Sequence, residues 1–278
     1  MIDAILSYHF MQNALLATLL SSIICGIIGT IIVEKKLVMM GGGIAHTAYG
    51  GVGLGYLLGF NPIFGAIGFS TVAALGIGYT NRTGKKNSDI TTALFWSLGM
   101  ASGVLFTSLM PSYPPDMNSY LFGNILSVTD SLLIMMAILT AIIFAFIAVF
   151  YHDWNSYLFD NEYATISGMN TKFLEYLLSI LIALSVVTLI RVAGIILIIA
   201  LISAPAATAA LMSQKLKNRM ILATLIGVIE CFLGLTASYT LNIASGASIV
   251  IIAVSVHFLA KSIQLLKAHW NVKNKDVR

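Results

Sequence analysis

Long apolar runs alternate with short charged clusters along this chain. At a rise of ~1.5 Å per residue, a helix of about 20 residues crosses a hydrocarbon core of roughly 30 Å. The pattern therefore predicts an all-α, polytopic integral membrane protein. The runs that suit single spans lie near residues 13–33, 38–59, 63–80, 90–110, 131–151, 220–239 and 248–263.

Two stretches depart from this simple pattern. The run over residues 173–212 is too long for one crossing, and Arg191 and Gly194 mark its only plausible break, so we predict two spans with Arg191 near the outer face. The run over residues 119–128 is too short to cross and is predicted to be re-entrant or interfacial. We expect eight transmembrane helices, or nine, depending on how these two stretches are counted. All of them belong to a single transmembrane domain over residues 1–278.

The charged clusters set the orientation. Lysines and arginines concentrate in residues 34–36, 81–89 and 213–219, and the positive-inside rule places these loops in the cytoplasm. The N-terminus is then outside, with residues 1–12 along the interface. The same alternation makes the polar segment 152–172 cytoplasmic, where its aromatic and acidic residues suit a surface helix that docks on a partner.

Composition agrees with a plasma-membrane protein surrounded by lipid. Of the 278 residues, 58% are hydrophobic and 9% are charged, with a mean hydropathy of +0.93, unlike a soluble domain. The net charge of +4 comes from the orienting clusters and, without a basic face carrying aromatic residues, does not indicate nucleic-acid binding. Cys25 and Cys231 lie in apolar runs and are expected to be buried thiols.

The run from Val38 to Gly59 carries features that a lipid-facing helix avoids. It contains eight glycines, and Gly51, Gly55 and Gly59 recur at every fourth residue. Such spacing predicts a helix face on which a neighbouring backbone packs closely. His46 lies in the same run, and an ionisable side chain at membrane depth is a functional candidate.

Glu230 is the second ionisable residue deep within a span. His46 lies ten residues beyond Lys36 and Glu230 eleven beyond Arg219, so each is about 15 Å from its cytoplasmic anchor. Imidazole and carboxylate at one depth suit a transition-metal cation, and the same pair suits a proton relay. The structural alternatives are an imidazole satisfied by a neighbouring helix and a protonated carboxyl hydrogen-bonded to another helix.

Several enzyme classes lack their signatures. The loop GYTNRTGKK has neither the spacing nor the hydroxyl residue of a phosphate-binding Walker loop, no HExxH motif occurs, and HTAYG is not a nucleophile elbow. The chain is therefore predicted not to be an enzyme. If ATP drives it, the ATPase is another chain.

Five segments, in order along the chain, together resemble the permease subunits of the manganese, zinc and iron ATP-binding-cassette importers. These segments are GGGIAHTAYGGVGLGYLLG, SYLFGNILSV, LFDNEYATISGMN, RVAGIILIIALISAPAATAALMSQ and SYTLNIASGASIV. The resemblance implies an all-helical permease that pairs as a homodimer, a cytoplasmic ATP-binding-cassette ATPase, and an extracellular metal-binding protein.

The resemblance also implies roles for residues. His46 matches the histidine of the family's metal path, and residues 158–170 match a cytoplasmic surface of the family. The region that contacts the ATPase corresponds to Pro205, Ala206, Ala207, Gln214, Lys215, Lys217 and Arg219. Family members commonly have aspartates where this chain has Gly42 and Asn242, and we hypothesise that Glu230 replaces the missing acid opposite His46.

The leading expectation is thus a permease that carries zinc or manganese, and iron less readily, as a substrate and without a permanently bound cofactor. A proton-coupled secondary transporter of metal or a small solute, using His46 and Glu230, is the alternative. An intramembrane enzyme with the same pair as a metal site is a third reading, but it lacks a recognised motif.

Overall fold

The computed structural model describes residues 7–83, 88–111, 117–195 and 197–275, and all regular structure in these ranges is helical. The predicted all-α fold is therefore confirmed for these residues. In chain order the elements are α1 (His9–Glu34), α2 (Val38–Leu58), α3 (Pro62–Arg82), α4 (Ser88–Ser108), α5 (Asn118–Phe122), a 3-10 turn (Ile125–Ser127), α6 (Asp130–Val149), α7 (Tyr151–Phe159), α8 (Asn161–Ile166), α9 (Thr171–Ala193), α10 (Ile198–Met212), α11 (Leu216–Leu241) and α12 (Ser245–Lys275).

Consecutive long helices run in opposite directions, so their connections gather at two ends of the bundle. At one end, the Lys35 ammonium, after α1, donates a hydrogen bond to the carbonyl of Tyr157 in α7. At the other end, the backbone N–H of Ile125 donates to the hydroxyl of Ser245 at the start of α12. The first end carries the basic clusters and is called the cytoplasmic end; the opposite one is the outer end.

Seven helices in the described ranges are long and apolar enough to cross a membrane: α1, α3, α4, α6, α9, α11 and α12. Helix α2 has 21 residues, but its glycines and His46 lower its hydropathy. Helix α10 is apolar and has 15 residues. The predicted count of eight or nine depends on whether α2 and α10 are counted, and it stays a prediction.

Helices α1 and α9 form the centre of the bundle. Most of α1 is buried, against α6, α9, α10 and α11, and most of the apolar part of α9 is buried as well. Helices α4 and α12 leave most of their surface uncovered, as helices that face lipid do.

The predicted break in the long apolar run is present between α9 and α10, where Gly194 has φ 81°. The backbones of Gly123 and Gly194 touch, so that a side chain at either glycine would collide with the other segment. The N–H of Ile195 also donates to the carbonyl of Tyr120 at 2.8 Å. Residues 119–128 therefore turn at the outer end without crossing, as predicted.

The start of the chain differs from the expectation. Residues 9–12, predicted to lie along the interface, already belong to α1, and Met11 is fully buried. Helix α1 extends this far because its outer end packs against the start of α6. Residues 1–6, residues 84–87 of the first long cytoplasmic loop, and the side chain of Arg191 lie outside the described part of the chain.

Candidate functional site

Helix α2 approaches α3 more closely than a helix with large side chains could. A Cβ atom at Gly51 would collide with the carbonyl of Gly65, and one at Gly55 would lie 2.6 Å from the Cα of Pro62. Gly59 differs from its predicted packing role. It has φ 74° at the C-cap of α2, with open space around it, because the left-handed conformation that ends a helix favours glycine.

The close packing of α2 places His46 against α4. The imidazole stacks on the indole of Trp96, with ring centroids 3.8 Å apart and planes at 11°. His46 is 7% exposed, and its Nδ1 has no hydrogen-bond partner. The stack fixes the plane of the imidazole and leaves one ring nitrogen for a ligand. The sequence pattern does not identify Trp96 as a functional residue. The one feature that could have identified it is the presence of a tryptophan midway along an apolar run.

The position one turn before His46 is surrounded by apolar groups. A Cβ atom at Gly42 would lie 2.5 Å from the Cδ1 of Ile199 in α10 and 3.5 Å from the ring of Trp96. Helices α2, α4 and α10 therefore converge beside His46. An apolar wall stands where the family resemblance would place an aspartate.

A cavity of about 430 Å³ opens next to this cluster, between α2, α3 and α4. Its wall includes Thr47, Phe95 and Ser102, and the Thr47 hydroxyl lies 2.9 Å from the carbonyl oxygen of Phe95. Neither His46 nor Trp96 lines this cavity; the residues that do are their chain neighbours Thr47 and Phe95. In this conformation the imidazole lies beside open space without facing it.

Glu230 is buried in α11. It is 1% exposed, neither carboxylate oxygen has a hydrogen-bond partner, and the free thiols of Cys25 and Cys231 lie close by. A carboxyl group in such surroundings is stable only when it is protonated or binds a cation.

Glu230 and His46 belong to different helix packings. Helix α11 packs on α1, α10 and α12, whereas α2 packs chiefly on α3 and α4. Across the described ranges, no three histidine, cysteine, aspartate or glutamate side chains gather into a group that could hold a metal. The pairing of Glu230 with His46 around a cation stays a prediction.

The outer end carries a cleft of about 450 Å³, mostly apolar with several polar side chains, between the α5 segment and the turn from α11 to α12. Asn242, with φ 54° at the C-cap of α11, contributes to its wall together with Asn124, Ser238 and Ser245. These side chains offer neutral oxygen atoms and no carboxylate.

The residues predicted to couple to an ATPase divide into two groups. Pro205 and Ala206 are buried within α10, and Ala207 is half-buried. The members exposed at the cytoplasmic end are Gln214, Lys215 and Lys217. Arg219 is half-buried, and its guanidinium forms an ion pair with Glu34.

A second cytoplasmic surface, called here the α7–α8 surface, consists of Phe159, Tyr163 and Ile166. These side chains are 92%, 62% and 86% exposed. Asp160 caps α8 by accepting hydrogen bonds from two backbone N–H groups, at 2.9 and 3.0 Å. Exposed apolar side chains beyond the membrane-spanning helices are typical of a contact site for another protein.

Comparisons with known proteins agree on one family. The model of the ABC 3 transport family matches residues 7–264. An uncharacterized membrane protein of Synechocystis is 40% identical over 92% of this chain and 91% of its own length. The manganese transport system membrane protein MntC of Listeria monocytogenes is 35% identical over 93% of this chain and 92% of its own. Among solved structures, PsaBC from Streptococcus pneumoniae in complex with Fab matches with a TM-score of 0.85 and 34% identity, over 93% of each chain.

Proposed function

The chain belongs to the ABC 3 transport family, and we propose that it is the membrane permease of an ATP-driven importer of a divalent transition metal, either manganese or zinc. It is a multi-pass protein of the prokaryotic plasma membrane. The observation that carries the proposal is His46, a buried imidazole on the most closely packed helix, with a ring nitrogen free of hydrogen bonds.

His46 serves as a transient ligand. Imidazole suits zinc and iron, and manganese is held best when oxygen ligands are added. A single protein ligand holds a cation weakly, which suits a path that must release its cargo. The relative named for manganese transport supports manganese as the first metal to test. Rotation of Trp96 away from the imidazole would uncover the His46 ring for a ligand.

Glu230 supplies the second group along the route. Its two unpartnered carboxylate oxygens favour a cation or a proton. Because it lies in the α11 packing rather than against α2, we place it before or after His46 on the path.

Energy comes from partner chains. A cytoplasmic ATP-binding-cassette ATPase docks on the α7–α8 surface and on the exposed residues between α10 and α11. The exposed apolar side chains of Phe159 and Ile166 and the exposed lysines at 215 and 217 support this site. A second copy of the chain completes the permease as a homodimer, and an extracellular metal-binding protein delivers metal at the outer cleft.

Uptake of radiolabelled metal tests the proposal. In cells that express the permease with its ATPase and binding protein, His46→Gln should lower uptake about tenfold or more, as loss of a metal ligand does. His9→Gln, at an exposed histidine of the outer end, is the matched control and should transport like wild type. Equal uptake by both variants, at equal amounts in the membrane, would contradict a role for His46 on the path.

Competition between metals identifies the cargo. Unlabelled manganese, zinc and iron are each added in excess, and the metal that competes best is the substrate. A variant of the ATPase that cannot hydrolyse ATP should abolish uptake. Uptake that continues with this variant and follows a proton gradient would instead support the secondary transporter.

A further inference from the structure

The turn between α1 and α2 contacts α7, which leads into the α7–α8 surface, and Arg219, which holds the loop between α10 and α11. It consists of Glu34, Lys35 and Lys36 and is called the relay turn. We propose that the relay turn passes movement of these docking surfaces to α2 and His46. The proposal rests on the proposed function, since it assigns the residues that connect the ATPase to the metal path.

Lys35 connects the relay turn to α7, two residues before Phe159 of the α7–α8 surface. Its ammonium donates to the carbonyl of Tyr157 at 2.9 Å and lies 3.5 Å from the centre of the Tyr157 ring. Lys35 is half-buried, and this burial lowers its pKa, while Glu175 and Glu34 act in the opposite direction. Tyr157 is 5% exposed, so α7 cannot shift without moving the lysine or breaking these contacts.

The same contact extends to the transport helices. The Tyr157 hydroxyl lies 3.4 Å from Oε1 of Glu175 in α9, and the guanidinium of Arg82 at the end of α3 donates to Oε2 at 2.7 Å. Burial and the nearby Glu175 carboxylate raise the pKa of Tyr157 well above its usual value. One continuous polar chain therefore joins the cytoplasmic ends of α1, α3, α7 and α9.

Glu34 connects the relay turn to the other docking surface. Its carboxylate pairs with Arg219 at the start of α11. Arg219 also donates to the carbonyl of Ser213 at 2.7 Å and to the side-chain oxygen of Gln214 at 3.0 Å. The guanidinium thus holds the loop between α10 and α11 and attaches it to the end of α1.

The geometry of the turn suits transmission. Lys36 has φ 59°, and the N–H of Leu37 donates to the carbonyl of Ile32 at 2.8 Å, so the chain reverses sharply with little slack. Helix α2 follows at Val38, and His46 lies eight residues further, ~12 Å along the axis. A displacement of the relay turn therefore moves a rigid helix rather than a loose loop.

A reconstituted system tests the relay. The permease–ATPase complex is placed in proteoliposomes with the binding protein, and manganese uptake and ATP hydrolysis are measured together. Lys35→Met keeps an unbranched side chain and removes the charge. It should leave complex formation and ATP hydrolysis near wild type and lower metal transported per ATP by about three- to tenfold, in the range of coupling mutations.

Five further variants complete the test. Lys267→Met, at an exposed lysine in the cytoplasmic part of α12, is the control and should couple like wild type, and Lys35→Arg should retain coupling. Glu34→Arg and Arg219→Glu should each uncouple, and their combination should restore transport per ATP. The combination also decides the matter if Lys35→Met does not assemble.

Two outcomes would overturn the relay. One is an unchanged ratio of transport to hydrolysis in Lys35→Met and in the single charge reversals. The other is a parallel fall of hydrolysis, assembly and transport, which marks a contact that only holds the fold together. Wild-type complex without ATP-dependent uptake of manganese, zinc or iron would instead reject the proposed function.

Discussion

His46 owes its surroundings to small neighbours. A Cβ atom at Gly99 of α4 would collide with the backbone of Thr47, so the two helices touch directly beside the histidine. Trp96 lies three residues before Gly99, on nearly the same side of α4, and this brings its ring onto the imidazole. The stack is thus a consequence of close backbone packing.

Removing the stack should weaken transport. Trp96→Ala frees the imidazole to rotate and should raise the metal concentration at half-maximal uptake about tenfold or more, as loss of an orienting neighbour does at metal sites. Trp96→Phe retains a ring and should lie between Ala and wild type. Leu94→Ala, at an exposed position of the same helix, is the control, and an equal effect of both alanine variants would contradict the orienting role.

Restoring an acid next to His46 should change how tightly metal is held. Residues 42 and 46 are one turn apart and share a helix face, but Ile199 occupies the space. The double variant Gly42→Asp with Ile199→Ala makes room for a carboxylate beside the imidazole. We expect about tenfold tighter manganese binding, the effect of ~1.4 kcal/mol, and slower release, measured by isothermal titration and by efflux.

Gly41→Asp provides the matched comparison for this gain. A Cβ atom there meets nothing within 4 Å, so the same charge fits without displacing Ile199, but it is directed away from the face of His46. Equal affinities in both variants would show that position 42 does not face the metal.

Sequence reasoning identifies isolated ionisable groups better than their neighbours. His46 and Glu230 are conspicuous because an apolar run contains few such residues. Trp96 is one aromatic residue among many apolar ones, and only the crossing of α2 and α4 makes it special. The similar depth of His46 and Glu230 follows from distance along their helices, and that distance carries no information on which helices touch.

Among the helix pairs, the packing of α2 against α3 depends most on glycines, which have no side chain to keep the backbones apart. Gly51 and Gly65 face each other across the pair, each backbone occupying the space that a Cβ of the other would need. Gly51→Ala should force the helices apart and cost about 1–3 kcal/mol, as overpacking does. Thermal unfolding of the detergent-solubilised protein measures this loss.

Gly68 in α3 is the control for that substitution. Nothing lies within 4 Å of a Cβ atom built there, so Gly68→Ala should be neutral or stabilise by about 0.5–1 kcal/mol through lower backbone entropy of the unfolded chain. If Gly51→Ala were as stable as Gly68→Ala, close contact would not be what holds α2 against α3.

A break between two helices can be predicted from sequence when a glycine lies within an apolar run that is too long for one span. Gly194 interrupts a run too long for one span, and the structure breaks there. The sequence predicts that Gly59 packs against a neighbouring helix, but Gly59 ends α2 instead. A glycine at every fourth residue does not distinguish a packing glycine from one that ends the helix. The contact of Gly123 with Gly194 depends on tertiary approach, which periodicity does not record.

At the scale of the molecule, charge and exposure separate the two ends. Basic clusters in the sequence place three loops on one side, and contacts such as that between Lys35 and Tyr157 gather the same end in space. The outer end instead carries a neutral cleft with a few side-chain oxygen atoms in a mostly apolar wall. One end therefore suits a large protein partner, and the other a cation passed from a carrier.

The α7–α8 surface should be where the ATPase binds. Phe159→Asp places a charge at a side chain that is 92% exposed, so folding and membrane insertion should be preserved. If Phe159 is a central anchor, ATPase affinity should fall about tenfold or more, since truncated anchors commonly cost over 1 kcal/mol. Leu266→Asp, at a 70% exposed leucine in the cytoplasmic part of α12, is the control. Co-purification of ATPase with Phe159→Asp at the wild-type level would place the docking site elsewhere. Loss confined to Phe159→Asp would place the ATPase two residues from Tyr157, the residue that Lys35 of the relay turn contacts.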